Sequence, residues 1–144
     1  MRIWIDTEYN DFKGDLISIA LVAETGEEWY RVTYCEKPSE WVAKHVIPIL
    51  GRPPISLDEM RVSLHNYLSG FQSIHLIADW PEDIAHFCNL LISSPGYRID
   101  TPPLTLEIRR DLDAISEVPH NALSDALAIK AKHIELFGSY AYPI

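Results

Sequence analysis

Asp6 and Glu8 close a short apolar run, Ile3-Trp4-Ile5-Asp6-Thr7-Glu8, near the start of the chain. Side chains at i and i+2 of a strand share a face, so the two carboxylates stand side by side at the tip of a buried strand. Adjacent carboxylates repel, and buried charge is costly unless it is paired or bound to metal. A divalent cation between them makes sense of the pair, whereas two solvated acids in the turn after a strand are the plain alternative. Further along, Asp79 and Asp83 lie in Ala78-Asp79-Trp80-Pro81-Glu82-Asp83. Asp79 falls at the C-terminal edge of an expected strand, where α/β folds place ligand sites, and Asp83 falls in the first turn of the next helix, where the dipole favours an anion. Near the C-terminus, Asp125 shares a helix face with Ala122, Ala128 and Ile129. A carboxylate among small and aliphatic residues needs compensation, and small neighbours let another group come close. His120, five residues earlier, sits on a loop that can reach over the same place.

The elements that must position these groups follow from turn and cap signals. Strands are expected over residues 2–6, 16–22 and 28–34, an antiparallel meander with turns at Tyr9-Asn10-Asp11 and Glu24-Thr25-Gly26-Glu27. Ser39 caps a first helix through Trp41, Val42, His45 and Val46, and Gly51-Arg52-Pro53-Pro54 breaks it. Ser56 with Glu59 is a capping box opening a second helix that Gly70 ends. A fourth strand spans 73–78, and Pro81 starts a helix carrying Ile84, Phe87, Cys88 and Leu91 at helical spacing. A short fifth strand is expected within 97–108, then a loop holding Arg109 and Arg110, then a last helix from about Asn121 to Phe137. This order describes an α/β domain with a mixed sheet.

Composition narrows the class. The 144 residues fit one domain, 1–144, with 47% hydrophobic and 23% charged residues. No apolar run approaches the ~20 residues of a membrane span. Met1-Arg2-Ile3-Trp4 has no signal-peptide layout, and Cys35 and Cys88 lack metal-like spacing, so a reducing cytoplasm is the expected location. A net charge of −9 argues against coating long nucleic acid by counterion release. It leaves room for a nuclease gripping a few nucleotides at one end, because bound cations reverse the local field.

Asp6-x-Glu8, an acid in a strand-to-helix segment and His120-x4-Asp125 together resemble the DEDDh group of 3′–5′ exonucleases, within the ribonuclease H-like superfamily. His120-Asn-Ala-Leu-x-Asp125-Ala is the most specific part, and the likeness runs from residue 3 to about 137. It is closest to the small stand-alone exoribonucleases of the group. The middle motif departs from the family's Asn-x3-Asp, with Asp79 at the asparagine position and Asp83 as the metal-site acid. The resemblance implies a ribonuclease H-like fold with sheet order 3-2-1-4-5, strand 2 antiparallel and helices flanking the sheet. It also implies a hydrolase that removes nucleoside 5′-monophosphates from the 3′ end of RNA or single-stranded DNA. Asp6, Glu8, Asp83 and Asp125 would hold two Mg²⁺ or Mn²⁺ ions, with His120 as general base. Thr7, Tyr9, Asp79 and Trp80 are the expected substrate contacts. Tyr9 and Trp80 could stack on bases or equally be packing residues. Related exonucleases often pair, and Trp41 or Tyr140-Ala141-Tyr142 could supply a homodimer contact. A non-catalytic nucleic-acid-binding module of the same fold, an exodeoxyribonuclease and a ribonuclease H-like endonuclease are the competing readings.

Overall fold

The computed structural model describes residues 1–138. Its centre is a five-stranded sheet of β1 (Arg2–Tyr9), β2 (Leu16–Ala23), β3 (Glu28–Val32), β4 (Ile74–Ala78) and β7 (Leu104–Ile108), in the order β3-β2-β1-β4-β7. β2 runs antiparallel to β1 and β3, while β4 is parallel to both β1 and β7. The expected spatial order and the single antiparallel strand are therefore present. The fifth strand of the sheet is the seventh of the chain, because an unforeseen hairpin, β5 (Ile92–Ser94) with β6 (Tyr97–Arg98), intervenes.

Burial explains the strands. Every residue of β2 is buried, as a central strand covered on both faces requires. On one face, Ile3, Ile5 and Leu21 pack against Met60, Leu64 and Leu68 of α2 (Leu57–Leu68) and Phe87 of α3 (Pro81–Leu91). On the other face lies α4 (Ala122–Phe137), whose Ala122 and Ala126 meet Ala20 and Val22 while Ile129 meets Trp4 and Ile77. Two alanines in its first turns bring α4 close to the sheet, and this sets Asp125 beside β1. The remaining helix, α1 (Glu40–His45), is short and runs into a 3₁₀ turn at Ile47–Ile49.

Helix starts follow the sequence. Ser39, Ser56 and Asn121 each accept a backbone N–H with their side chains, from Val42, Glu59 and Ser124 respectively. Two strand boundaries differ from expectation. β1 continues to Tyr9, in register with β2 as far as Glu8–Ser18 and, past a register shift, paired at Tyr9–Leu16, so Asp6 and Glu8 lie within the strand and not at its tip. β3 stops at Val32, and Thr33 forms an isolated bridge to Ile55. Among the described residues, no helix is long and apolar enough to cross a membrane.

Candidate metal centre and catalytic cleft

β1 carries Asp6 and Glu8 toward α4, and α4 returns Asp125 to them. Carboxylate oxygens of Asp6, Glu8 and Asp125 lie within 4.8 Å of one another. Asp6 also belongs to a second group, in which its oxygen, one of Asp79 and one of Asp83 lie within the same 4.8 Å. Two triplets of hard oxygen ligands thus share one aspartate. This geometry suits a pair of small divalent cations.

Asp83 enters from the opposite face of the sheet. β4 ends at Ala78, so the edge of β1 beyond it has no strand partner on that side. Asp83, in the first turn of α3, fills the gap: its Oδ1 accepts the Thr7 amide at 3.2 Å and the Thr7 hydroxyl at 2.5 Å. Its Oδ2 is buried without a hydrogen-bond partner, as is Oδ2 of Asp6. Asp79 follows β4 directly, and its carbonyl accepts Arg110 Nη1 at 3.0 Å.

The electrostatics are those of crowded, half-desolvated acids. Burial raises Asp6 well above the ordinary aspartate range, and Asp83, Glu8, Asp125 and Asp79 add to the effect. Burial likewise pushes Glu8 up to about 8, reinforced by the charge of Asp125 and a hydrogen bond with it. Asp83 rises to about 7, chiefly through burial, even though the Thr7 hydroxyl favours its ionised form. Asp79 is raised, again mainly by burial. Four carboxyls that resist ionising and two oxygens left without donors form a site short of positive charge. The all-oxygen set fits Mg²⁺ or Mn²⁺ and offers no nitrogen or sulfur ligand of the kind zinc prefers.

His120 lies at the start of α4 with φ at 72°, and its amide donates to Asp125 Oδ2 at 3.2 Å. Its ring meets Trp41 edge-on at 4.9 Å between centroids, with His45 at 6.4 Å. Glu8, Tyr9, Phe12, Trp41 and His120 line a cleft of about 390 Å³ beside the acids. Tyr9 stacks on His86 at 5.0 Å, which occupies one face of its ring. Trp80 is held between Phe12, at 6.1 Å, and the Arg110 guanidinium, at 4.6 Å, while its indole N–H donates to Glu82. The backbone of Thr7 borders the cleft, but its hydroxyl is committed to Asp83.

Asp6, Glu8, Asp79, Asp83, Asp125 and the backbone of His120 are thus brought together, with Thr7, Tyr9 and Trp80 around them. Phe12 and Trp41 line the cleft outside the expected site. Phe12, 74% exposed in a polar turn, is conspicuous only once the turn is known to border the acids. Trp41, one of the two expected dimer contacts, lines the cleft instead, with the His45 ring against it. Tyr140-Ala141-Tyr142, the other expected dimer contact, lies outside the described residues.

No family model matches the chain. Two curated relatives do, the 3′–5′ exoribonuclease Rv2179c of Mycobacterium tuberculosis strain ATCC 25618 / H37Rv and the 3′–5′ exoribonuclease MT2234.1 of strain CDC 1551 / Oshkosh. Each is 33% identical over 123 residues, covering 76% of this chain and 73% of the relative. With that identity extending over most of both proteins, the chain belongs to the family of these mycobacterial 3′–5′ exoribonucleases.

Proposed function

We propose that residues 1–144 form one ribonuclease H-like domain of the DEDDh type, a metal-dependent 3′–5′ exoribonuclease releasing nucleoside 5′-monophosphates. The observation that carries this reading is the shared aspartate: Asp6 joins Glu8 and Asp125 on one side and Asp79 and Asp83 on the other. Asp6, Glu8, Asp83 and Asp125 would hold two divalent cations, with Asp79 beside them. Such ions, when bound, make a water acidic enough to attack a phosphodiester and stabilise the departing 3′-oxygen.

The chain's own groups do the rest. Glu8 faces Asp125 and, pushed up to about 8, must lose its own proton before it can act as a ligand. Thr7 fixes the Asp83 carboxylate in place beside Asp6. His120, at the rim of the cleft, is the general base that takes the proton of the attacking water. Phe12 and Trp41 offer exposed ring faces to the terminal base; stacking of this kind contributes roughly 1–3 kcal/mol per base.

Incubation with 5′-labelled RNA and DNA oligonucleotides of one sequence tests the proposal. Mg²⁺-dependent shortening of RNA one nucleotide at a time is expected, abolished by EDTA. Preference for DNA would make the chain an exodeoxyribonuclease, and binding without cleavage would make it a non-catalytic module.

A further inference from the structure

We infer that a second hollow, across the 10–15 turn from the catalytic cleft, holds the upstream part of the RNA strand whose 3′ end is being cut. This rests on the exonuclease reading above. The hollow, about 440 Å³, contains none of the clustered acids. Its walls come from the 10–15 turn, α2, α3 and the segment after β3, and they carry Lys13, Tyr34, Arg61 and His86 over the apolar side chains of Leu57 and Leu90.

The hollow continues the catalytic cleft. Phe12 lines the cleft and the next residue, Lys13, lines the hollow. Tyr9, on the cleft side, stacks on His86, on the hollow side. The ridge between them is rigid. Asn10 N–H bonds Asp15 at 2.9 Å, Gly14 N–H bonds Asp11 at 2.9 Å, and Lys13 N–H reaches Glu82 of α3 at 2.9 Å. Gly14 is required there, since a Cβ would fall 1.7 Å from the Asn10 carbonyl oxygen. Asp11 and Lys13 accept φ of 63° and 67° to complete the turn. A strand leaving the cleft therefore crosses a fixed edge and meets Lys13 first.

The chemistry inside fits nucleotides. The Arg61 side chain is only 18% exposed, and its one ion-pair partner among the described residues, Asp58, lies at 3.5 Å and is itself 93% exposed. Nε of Arg61 is buried without an acceptor. A guanidinium offers five donors in a planar fork, and this one leaves most of them unused. A phosphodiester is the anion that matches such a fork. Tyr34, 62% exposed, stands beside it as a ring on which a base can stack. In a chain of net charge −9, a hollow whose lining holds two cations and an exposed tyrosine against a single acid, Asp15, next to the clustered carboxylates, is what a polynucleotide track needs.

The test compares substrate lengths in wild type, Arg61→Gln and Tyr34→Ala, with melting temperatures confirming the fold. For a ribodecamer, each substitution should raise KM about tenfold with little change in kcat. For a diribonucleotide, too short to cross the ridge, KM should stay within about twofold. Anisotropy of a labelled decamer in Ca²⁺ gives a readout independent of turnover. There Arg61→Gln should lower the slope of log K against log salt by about 0.7, one contact to a single strand. An unchanged decamer KM and affinity in both variants overturns the inference, and so does an equal loss on decamer and dinucleotide, which would mark a separate effector site. If wild type cuts nothing yet binds the decamer through Arg61, the track stands and the exonuclease reading fails. If it neither cuts nor binds, both fail.

Discussion

Thr7 donates twice to one oxygen of Asp83, through its hydroxyl at 2.5 Å and its amide at 3.2 Å, and leaves the other oxygen buried and unpaired. The two residues are 76 positions apart and meet because β4 stops short, exposing an edge amide of β1 to the start of α3. The contact fixes the carboxylate beside Asp6 and lowers the cost of ionising Asp83, so that burial raises it only to about 7. Thr7→Val keeps the shape and the amide but removes the hydroxyl. Activity should fall about 10–100-fold, as for other groups that orient a metal ligand, and the Mg²⁺ concentration for half-maximal rate should rise. An unchanged Mg²⁺ titration would show that Thr7 serves packing alone.

The crowded acids also set the pH dependence of the metal-free protein. Asp6, Glu8 and Asp83 titrate higher in the fold than the ordinary values of about 4 expected when unfolded. Between about pH 4 and pH 8 the native state therefore binds more protons than the unfolded chain, and stability declines as pH rises. In EDTA the melting temperature should drop across that window. Excess Mg²⁺ should restore it, more at pH 8 than at pH 5. A melting temperature that climbs from pH 5 to 8 in EDTA would contradict the arrangement.

Asp79 and Asp83 both reach Asp6, so their roles separate by what else holds them. Asp83 is 2% exposed and fixed by Thr7, whereas Asp79 is less buried and touched through its backbone by Arg110. Asp83→Asn should be nearly inactive even in high Mn²⁺, and Asp79→Asn should be partly rescued by it. The reverse ranking would make Asp79 the ligand.

Much of this was legible in the chain. The strand period placed Asp6 and Glu8 on one face, the caps Ser39 and Ser56 and the proline Pro81 marked three helix starts, and the small neighbours of Asp125 signalled that another group could come close to it. The Thr7–Asp83 contact was not legible, because Thr7 points to the opposite face from Asp6 and its partner is distant in sequence. The β5–β6 hairpin was hidden for another reason: all of its strand residues are exposed, so no alternation marks them. β7 could be bracketed but not located, since an edge strand with burial on few residues has little period to read.

Trp41, 47% exposed, faces His120 and the cleft, which favours a substrate role over subunit contact. Trp41→Ala should raise KM for oligoribonucleotides several-fold through lost stacking, while light scattering returns the wild-type mass. A change of mass with KM untouched would return this residue to an interface.

His120 sits at φ 72°, a conformation that costs an ordinary residue about 1–2 kcal/mol and that asparagine tolerates better than most. Replacing it with alanine would mix backbone strain with lost chemistry. His120→Asn keeps the backbone, including the amide that donates to Asp125, and removes the imidazole that accepts the proton of the attacking water. Its melting temperature should match wild type, and its rate should fall about 10²–10⁴-fold, the usual contribution of a general base. Mg²⁺ affinity should stay unchanged because His120 belongs to neither carboxylate group. If the variant retains more than about a tenth of the activity, the proton goes elsewhere, and His120 serves only to hold Asp125 and the Trp41 edge of the cleft.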